Sequence, residues 1–121
     1  MDRKEIVEFW LTEANEMAEI DRQVMGNVRA FLAKLRLAGI HITKAYLFGS
    51  FSNGRADRWS DIDVAVVSPQ IRGNRFEERV RLAEMAMGID DRIEPLPFTP
   101  ETFITDDPLV REIIRHGVVL V

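Results

Sequence analysis

The sequence predicts an α/β (α+β) fold: a small mixed β-sheet flanked by helices, with an extended helical segment at the N-terminus. Three observations carry this. Residues 1–38 repeat apolar side chains at helical spacing. Two short apolar runs, 44–49 and 62–68, are separated by a polar loop, as paired strands would be. Further on, helical and strand-like patterns alternate to the last residue, which is how a sheet comes to be covered by helices. A chain of 121 residues suits one domain with a real core. We expect a single unit over 1–121, with a helical segment at 1–39 and the functional core at 44–121.

The N-terminal pattern runs through Val7, Trp10, Leu11, Ala14, Met17 and Ala18, then Val24, Met25, Val28, Phe31, Leu32 and Leu35. That is the i, i+3, i+4, i+7 stripe of an amphipathic helix. Asp21 interrupts the stripe, and Gly26-Asn27 are weak helix formers. The expectation is therefore one helix with a soft middle or two helices joined at 21–27, closed by Gly39. The stripe predicts core packing. Phe9 and Ile20 lie off it and suggest a second contact for the first half, on another subunit.

Residues 44–49 are the first expected strand, and 50–56 a short turn or helical piece. A polar loop, Arg55 to Ser60, follows. Residues 62–68 form the second strand, stopped by Ser68-Pro69. After a loop at 70–74, residues 75–87 read as a helix with Phe76, Val80, Ala83 and Met87 on one face and Glu77, Glu78 and Arg81 outside. A third strand covers 91–98, where Pro95 and Pro97 suit an edge position. Asp107-Pro108 is an N-cap with proline at the first helical position, and that helix ends at Gly117. A last short strand is expected at 118–121.

Composition excludes several classes. There is no cysteine and only two histidines, His41 and His116, so thiolate and histidine-rich metal sites are ruled out. Any metal site must use oxygen ligands, which favours magnesium, calcium or manganese. The net charge of −4 argues against general nucleic-acid binding, which needs a broad basic surface. No apolar run approaches the roughly 20 residues that span a bilayer, and no secretory signal is visible. The expected location is cytoplasmic, with no membrane contact.

The chemistry concentrates in two adjoining pieces: Leu47-Phe48-Gly49-Ser50-Phe51 and Ser60-Asp61-Ile62-Asp63-Val64. Side chains two apart on a strand share a face, so Asp61 and Asp63 project together. Adjacent carboxylates repel unless something positive lies between them, and a hard divalent cation is the usual candidate. Gly49-Ser50 at a strand end offers backbone N–H groups and a hydroxyl to a phosphate. Phosphoryl transfer needs charge neutralisation and in-line positioning more than a reactive side chain.

Gly49-Ser50-Phe51-Ser52-Asn53-Gly54-Arg55, followed by Ser60-Asp61-Ile62-Asp63-Val64-Ala65-Val66-Val67, resembles the signature of the minimal nucleotidyltransferases of the DNA polymerase β-like superfamily, the antitoxin type among them. The resemblance covers roughly residues 44–121 and implies the polymerase β-like nucleotidyltransferase fold. It implies that Gly49 and Ser50 hold the triphosphate of a nucleoside triphosphate, with Asp61 and Asp63 binding two magnesium ions (manganese being the alternative). A third carboxylate from a later strand completes the metal site. Glu94 is the best match, one methylene longer than the aspartate usual there, and Asp90 and Asp91 are the fallbacks. Many relatives carry Arg where this chain has Asn53, and Arg55 and Arg58 are expected to serve instead. Trp59, in the same loop, is expected either to stack on a base or to pack.

The resemblance further implies transfer of NMP, AMP from ATP foremost, to a hydroxyl. Minimal enzymes of this kind are often encoded with a HEPN-domain protein, which they resemble antitoxins in neutralising, in some systems by adding AMP to a tyrosine. Two alternatives stand beside this: a binding module that neutralises its partner by contact alone, and a small-molecule, antibiotic-type nucleotidyltransferase. The N-terminal helix could also join a second copy of the chain.

Overall fold

The computed structural model describes residues 1–72 and 74–121, and all their side chains except those of residues 13–20. Expectations that fall on Ala14, Met17, Ala18, Ile20 and Gly73 lie outside what is described.

The first helix, α1, is continuous from Arg3 to Leu37. Asp2 caps it by accepting from the Glu5 N–H at 2.8 Å. At the other end, Gly39 adopts φ +87°, its N–H donates to the Arg36 carbonyl, and the Ile40 N–H reaches back to Leu35. This is a Schellman closure, completed by the buried pair Leu35 and Ile40. No break occurs at 21–27. Gly26-Asn27 costs about 1 kcal/mol of helix propensity, and burial of Val24 and Val28 on either side outweighs it. Among the described residues the stripe reads as core in its second half, where Val24, Val28, Phe31, Leu32 and Leu35 are buried. Ile6, Val7, Phe9, Trp10 and Leu11 are exposed, with Trp10 at 65%.

The sheet has four strands in the order β3-β2-β1-β4. Strands β1 (Lys44–Phe48) and β2 (Ile62–Val67) pair antiparallel; β2 and β3 (Ile93–Phe98) pair parallel; β4 (Val118–Val119) pairs antiparallel with β1. A 3-10 turn, Gly49–Ser52, begins where β1 stops. Helix α2 (Arg75–Ala86) makes the crossover between the parallel strands, and α3 (Pro108–His116) precedes β4. This matches the predicted mixed sheet, with each strand shorter than expected by one or two residues at its ends.

Two apolar layers sandwich the sheet. Ile62, Val64 and Val66 join Phe31, Leu35 and Leu82 on the α1/α2 side. Ala65 and Val67 join Tyr46, Phe98, Phe103, Val110 and Ile113 on the α3 side. Strand β2 is covered on both faces, which is why its sequence is nearly unbroken in apolar residues. Asp63 shares the face of Ala65 and Val67, so it opens toward the α3 side where the apolar filling stops.

One expectation fails on α2. The apolar face Phe76, Val80, Ala83, Met87 is not the packed one: Phe76 is 72% and Met87 63% exposed, and the buried residues are Leu82 and Ala86. The helix is turned so that its small and branched residues meet α1 and the sheet. The larger stripe lies along the outer edge of β3.

Candidate functional site

The site is built on the middle of the sheet. In the strand registers Asp63 lies opposite Phe48 on one side and opposite Glu94 on the other. Neighbouring strands are about 4.8 Å apart, so the Gly49 turn, Asp63 and Glu94 succeed one another across three strands. Asp61 is exposed just before β2 begins.

Gly49 adopts φ +72°. A Cβ at this position would collide with the Asp63 carboxylate oxygen Oδ2. Glycine is therefore required twice, by the backbone and by the approach. The turn is closed by the Ser52 hydroxyl donating to the Gly49 carbonyl at 2.8 Å. Arg55 N–H donates to the Ser50 carbonyl and to Asn53 Oδ1. Among the described residues the Ser50 hydroxyl has no hydrogen-bond partner.

The electrostatics follow from burial and from neighbouring charge. The Asp63 pKa is raised, first because the carboxylate is partly removed from water, then by the negative charges of Glu94 and Asp61; Arg79 works the other way. Glu94 is exposed and reaches the Arg79 guanidinium at 3.8 Å. The three carboxylates thus sense one another, yet among the described residues no three acidic or imidazole groups form a cluster tight enough to hold a metal. The donor set is oxygen only, the ligand chemistry that suits a hard divalent cation.

The remaining expected residues divide. Arg55 lines a cavity of about 510 Å³ beside the turn, together with Gly49, Asn53, Glu112 and His116. Arg58 does not line it; its carbonyl instead accepts from Arg92 at 2.9 Å. Trp59 is 84% exposed, which removes the packing expectation. Asp90 is taken up elsewhere. It binds Arg92 at 2.8 Å and accepts from Asn27 of α1 at 3.0 Å. Its pKa is held down to about 2, chiefly by the Arg92 hydrogen bond, with Asn27 adding to it. Asn27, Asp90, Arg92 and the Arg58 carbonyl form one chain of contacts that ties the loop before Asp61 to α1.

Sequence reasoning missed Arg79, Glu112 and His116. Each belongs to a helix face whose orientation is set by packing. The only available signal was spacing: Arg75 and Arg79, like Glu112 and His116, stand one turn apart.

A model of the nucleotidyltransferase domain family matches residues 27–120. No curated protein matches. Among solved structures, a candidate nucleotidyltransferase from Sulfolobus solfataricus is similar at a TM-score of 0.61 and 17% identity, over 84% of this chain and 83% of that one. At that identity the likeness speaks for the fold alone. Among the described residues no helix is long and apolar enough to cross a membrane. The family match covers most of the chain, including the Gly49 turn, Asp61, Asp63 and Glu94, and the chain belongs to the nucleotidyltransferase domain family.

Proposed function

We propose that the chain transfers NMP, foremost AMP from ATP, to a hydroxyl on a partner protein, a tyrosine of a HEPN-type toxin, and so acts as an antitoxin. The observation that carries the reading is the position of Asp63, midway between the Gly49 turn and Glu94 in the strand registers. In-line displacement needs this order: leaving group, transferred phosphorus, acceptor.

The Gly49-Ser50 backbone and the free Ser50 hydroxyl receive the terminal phosphates, with Arg55 beside them. Asp61 and Asp63, with Glu94, would hold magnesium or manganese, which would supply positive charge for the phosphates. Glu94 accepts the proton of the attacking hydroxyl. The acceptor oxygen bonds to the α-phosphorus as the bond to pyrophosphate breaks. The core over 44–121 carries the chemistry, and the exposed start of α1 offers Ile6, Val7, Phe9, Trp10 and Leu11 to the partner or a second copy.

The test is incubation with α-labelled ATP, magnesium and the product of the neighbouring gene. Label on a partner tyrosine, lost in Asp61→Ala, is expected. No transfer with any of the four nucleoside triphosphates, together with full neutralisation by Asp61→Ala in cells, sinks the proposal.

A further inference from the structure

The exposed stripe of α2 borders a groove that runs along the free edge of β3. Three hollows compose it. The first, about 310 Å³, lies between Arg75, Phe76 and Arg79 of α2 and Leu96 and Leu109. The second, about 360 Å³, shares Phe76 and Arg79 and reaches Val80, Ala83 and Glu94. The third, about 390 Å³, continues past Val80 and Ala83 to Glu84, Met87 and Asp91. From Phe76 to Met87 the stripe spans about 16 Å at the helical rise.

Four features define what fits. The in-line order puts the acceptor on the side of Asp63 away from the Gly49 turn, which is the Glu94 side, and Glu94 lines the middle hollow. Main-chain pairing along the edge is blocked. Ile62 N–H donates to the Arg92 carbonyl and Ser68 N–H to Phe98, so the even residues of β3 bond inward and Ile93, Pro95 and Pro97 face outward. The two prolines therefore remove N–H groups from the free edge. Charge is polarised along the groove: Arg75 and Arg79 at one end, Glu84 and Asp91 at the other. Among the described residues Arg75 has no carboxylate partner; its guanidinium rests over the Phe98 ring at 4.6 Å.

We propose that this groove docks the acceptor-bearing segment of a partner protein. The segment is about three helical turns long, with an apolar face for Phe76 and Val80, acidic side chains toward Arg75 and Arg79, and basic ones toward Glu84 and Asp91. Its acceptor hydroxyl falls mid-segment, beside Glu94. The stripe is longer than a small-molecule acceptor needs, and the carboxylates of Glu84, Asp91 and Glu94 repel a nucleic-acid backbone. The inference rests on the nucleotidyl-transfer reading for the placement of the acceptor, and its test does not use transfer.

Three fluorescein-labelled, apolar-faced peptides with a central tyrosine serve as probes: one acidic at one end and basic at the other, one acidic throughout, one basic throughout. Anisotropy without nucleotide is expected to show the two-signed peptide binding at least tenfold tighter than the others. Phe76→Ser, at an exposed position, lowers that affinity at least tenfold. Arg75→Glu shifts the preference toward the basic peptide. Equal binding of all three, no binding of any, or insensitivity to Phe76→Ser overturns the proposal. So does tighter binding of a labelled single-stranded RNA, or wild-type self-association abolished by Phe76→Ser, which makes the groove a dimer face. ATP binding and label transfer, measured separately, report on the enzymatic reading alone.

Discussion

Gly49 leaves no room for a side chain because the Asp63 carboxylate stands where its Cβ would be. The Gly49 turn and the central acid are thereby locked together. Gly49→Ala must move one or the other and must also hold alanine at φ +72°. The left-handed backbone alone costs about 1–2 kcal/mol. The expected outcome is a folded but less stable protein, seen as a lower Tm, with label transfer reduced far more than stability is.

Asp61→Asn and Asp63→Asn should each abolish the stabilisation that magnesium or manganese gives to the wild-type chain in thermal unfolding. Changing residues that merely orient metal ligands costs roughly 10–100-fold, so loss of a ligand should reduce transfer by more than about 100-fold. Chelation of divalent ions should do the same to the wild type. Unchanged metal stabilisation in both variants would remove these aspartates from the metal site.

Two acids give opposite pH slopes. Asp90 has its folded pKa depressed to about 2 from 3.8, so its contribution is present above pH 3.8 and is lost as pH falls from there toward 2. The shift corresponds to roughly 2 kcal/mol. Asp63 has its folded pKa raised above 3.8, so in metal-free buffer its charge destabilises the fold increasingly as pH rises through that raised value. Urea unfolding between pH 2 and 7 should show Asp90→Ala flattening the acid limb. Asp63→Asn should instead raise stability at neutral pH in the absence of metal. A common slope for the two variants would contradict these environments.

The order of elements was legible because each has a local cause. Asp107-Pro108 starts α3, Gly39 stops α1, and Pro95 and Pro97 mark β3 as an edge. The acidic motif was legible through alternation, since residues two apart on β2 share a face. The face of α2 was not legible. Phe76, Val80, Ala83 and Met87 form as good a helical stripe as Leu82 and Ala86, and tertiary packing chose the smaller set. The role of Asp90 was hidden as well: its partners Asn27 and Arg92 are joined only when α1 folds against the start of β3.

The proposed function puts contact at the start of α1, apart from the residues of catalysis. The buried residues of α1 begin, among those described, at Val24, while Ile6, Val7, Phe9, Trp10 and Leu11 stand in solvent. Removing residues 1–12 takes away exposed side chains and should change unfolding free energy by no more than about 0.5 kcal/mol. The truncated chain should keep ATP binding and lose co-elution with the partner. The Asp61→Ala/Asp63→Ala double variant should do the reverse, keeping the complex and losing transfer. Cell-based neutralisation then decides between the two modes. If the truncation alone abolishes it, the chain works by contact; if the double variant also does, the transfer of nucleotide to the partner is what neutralises.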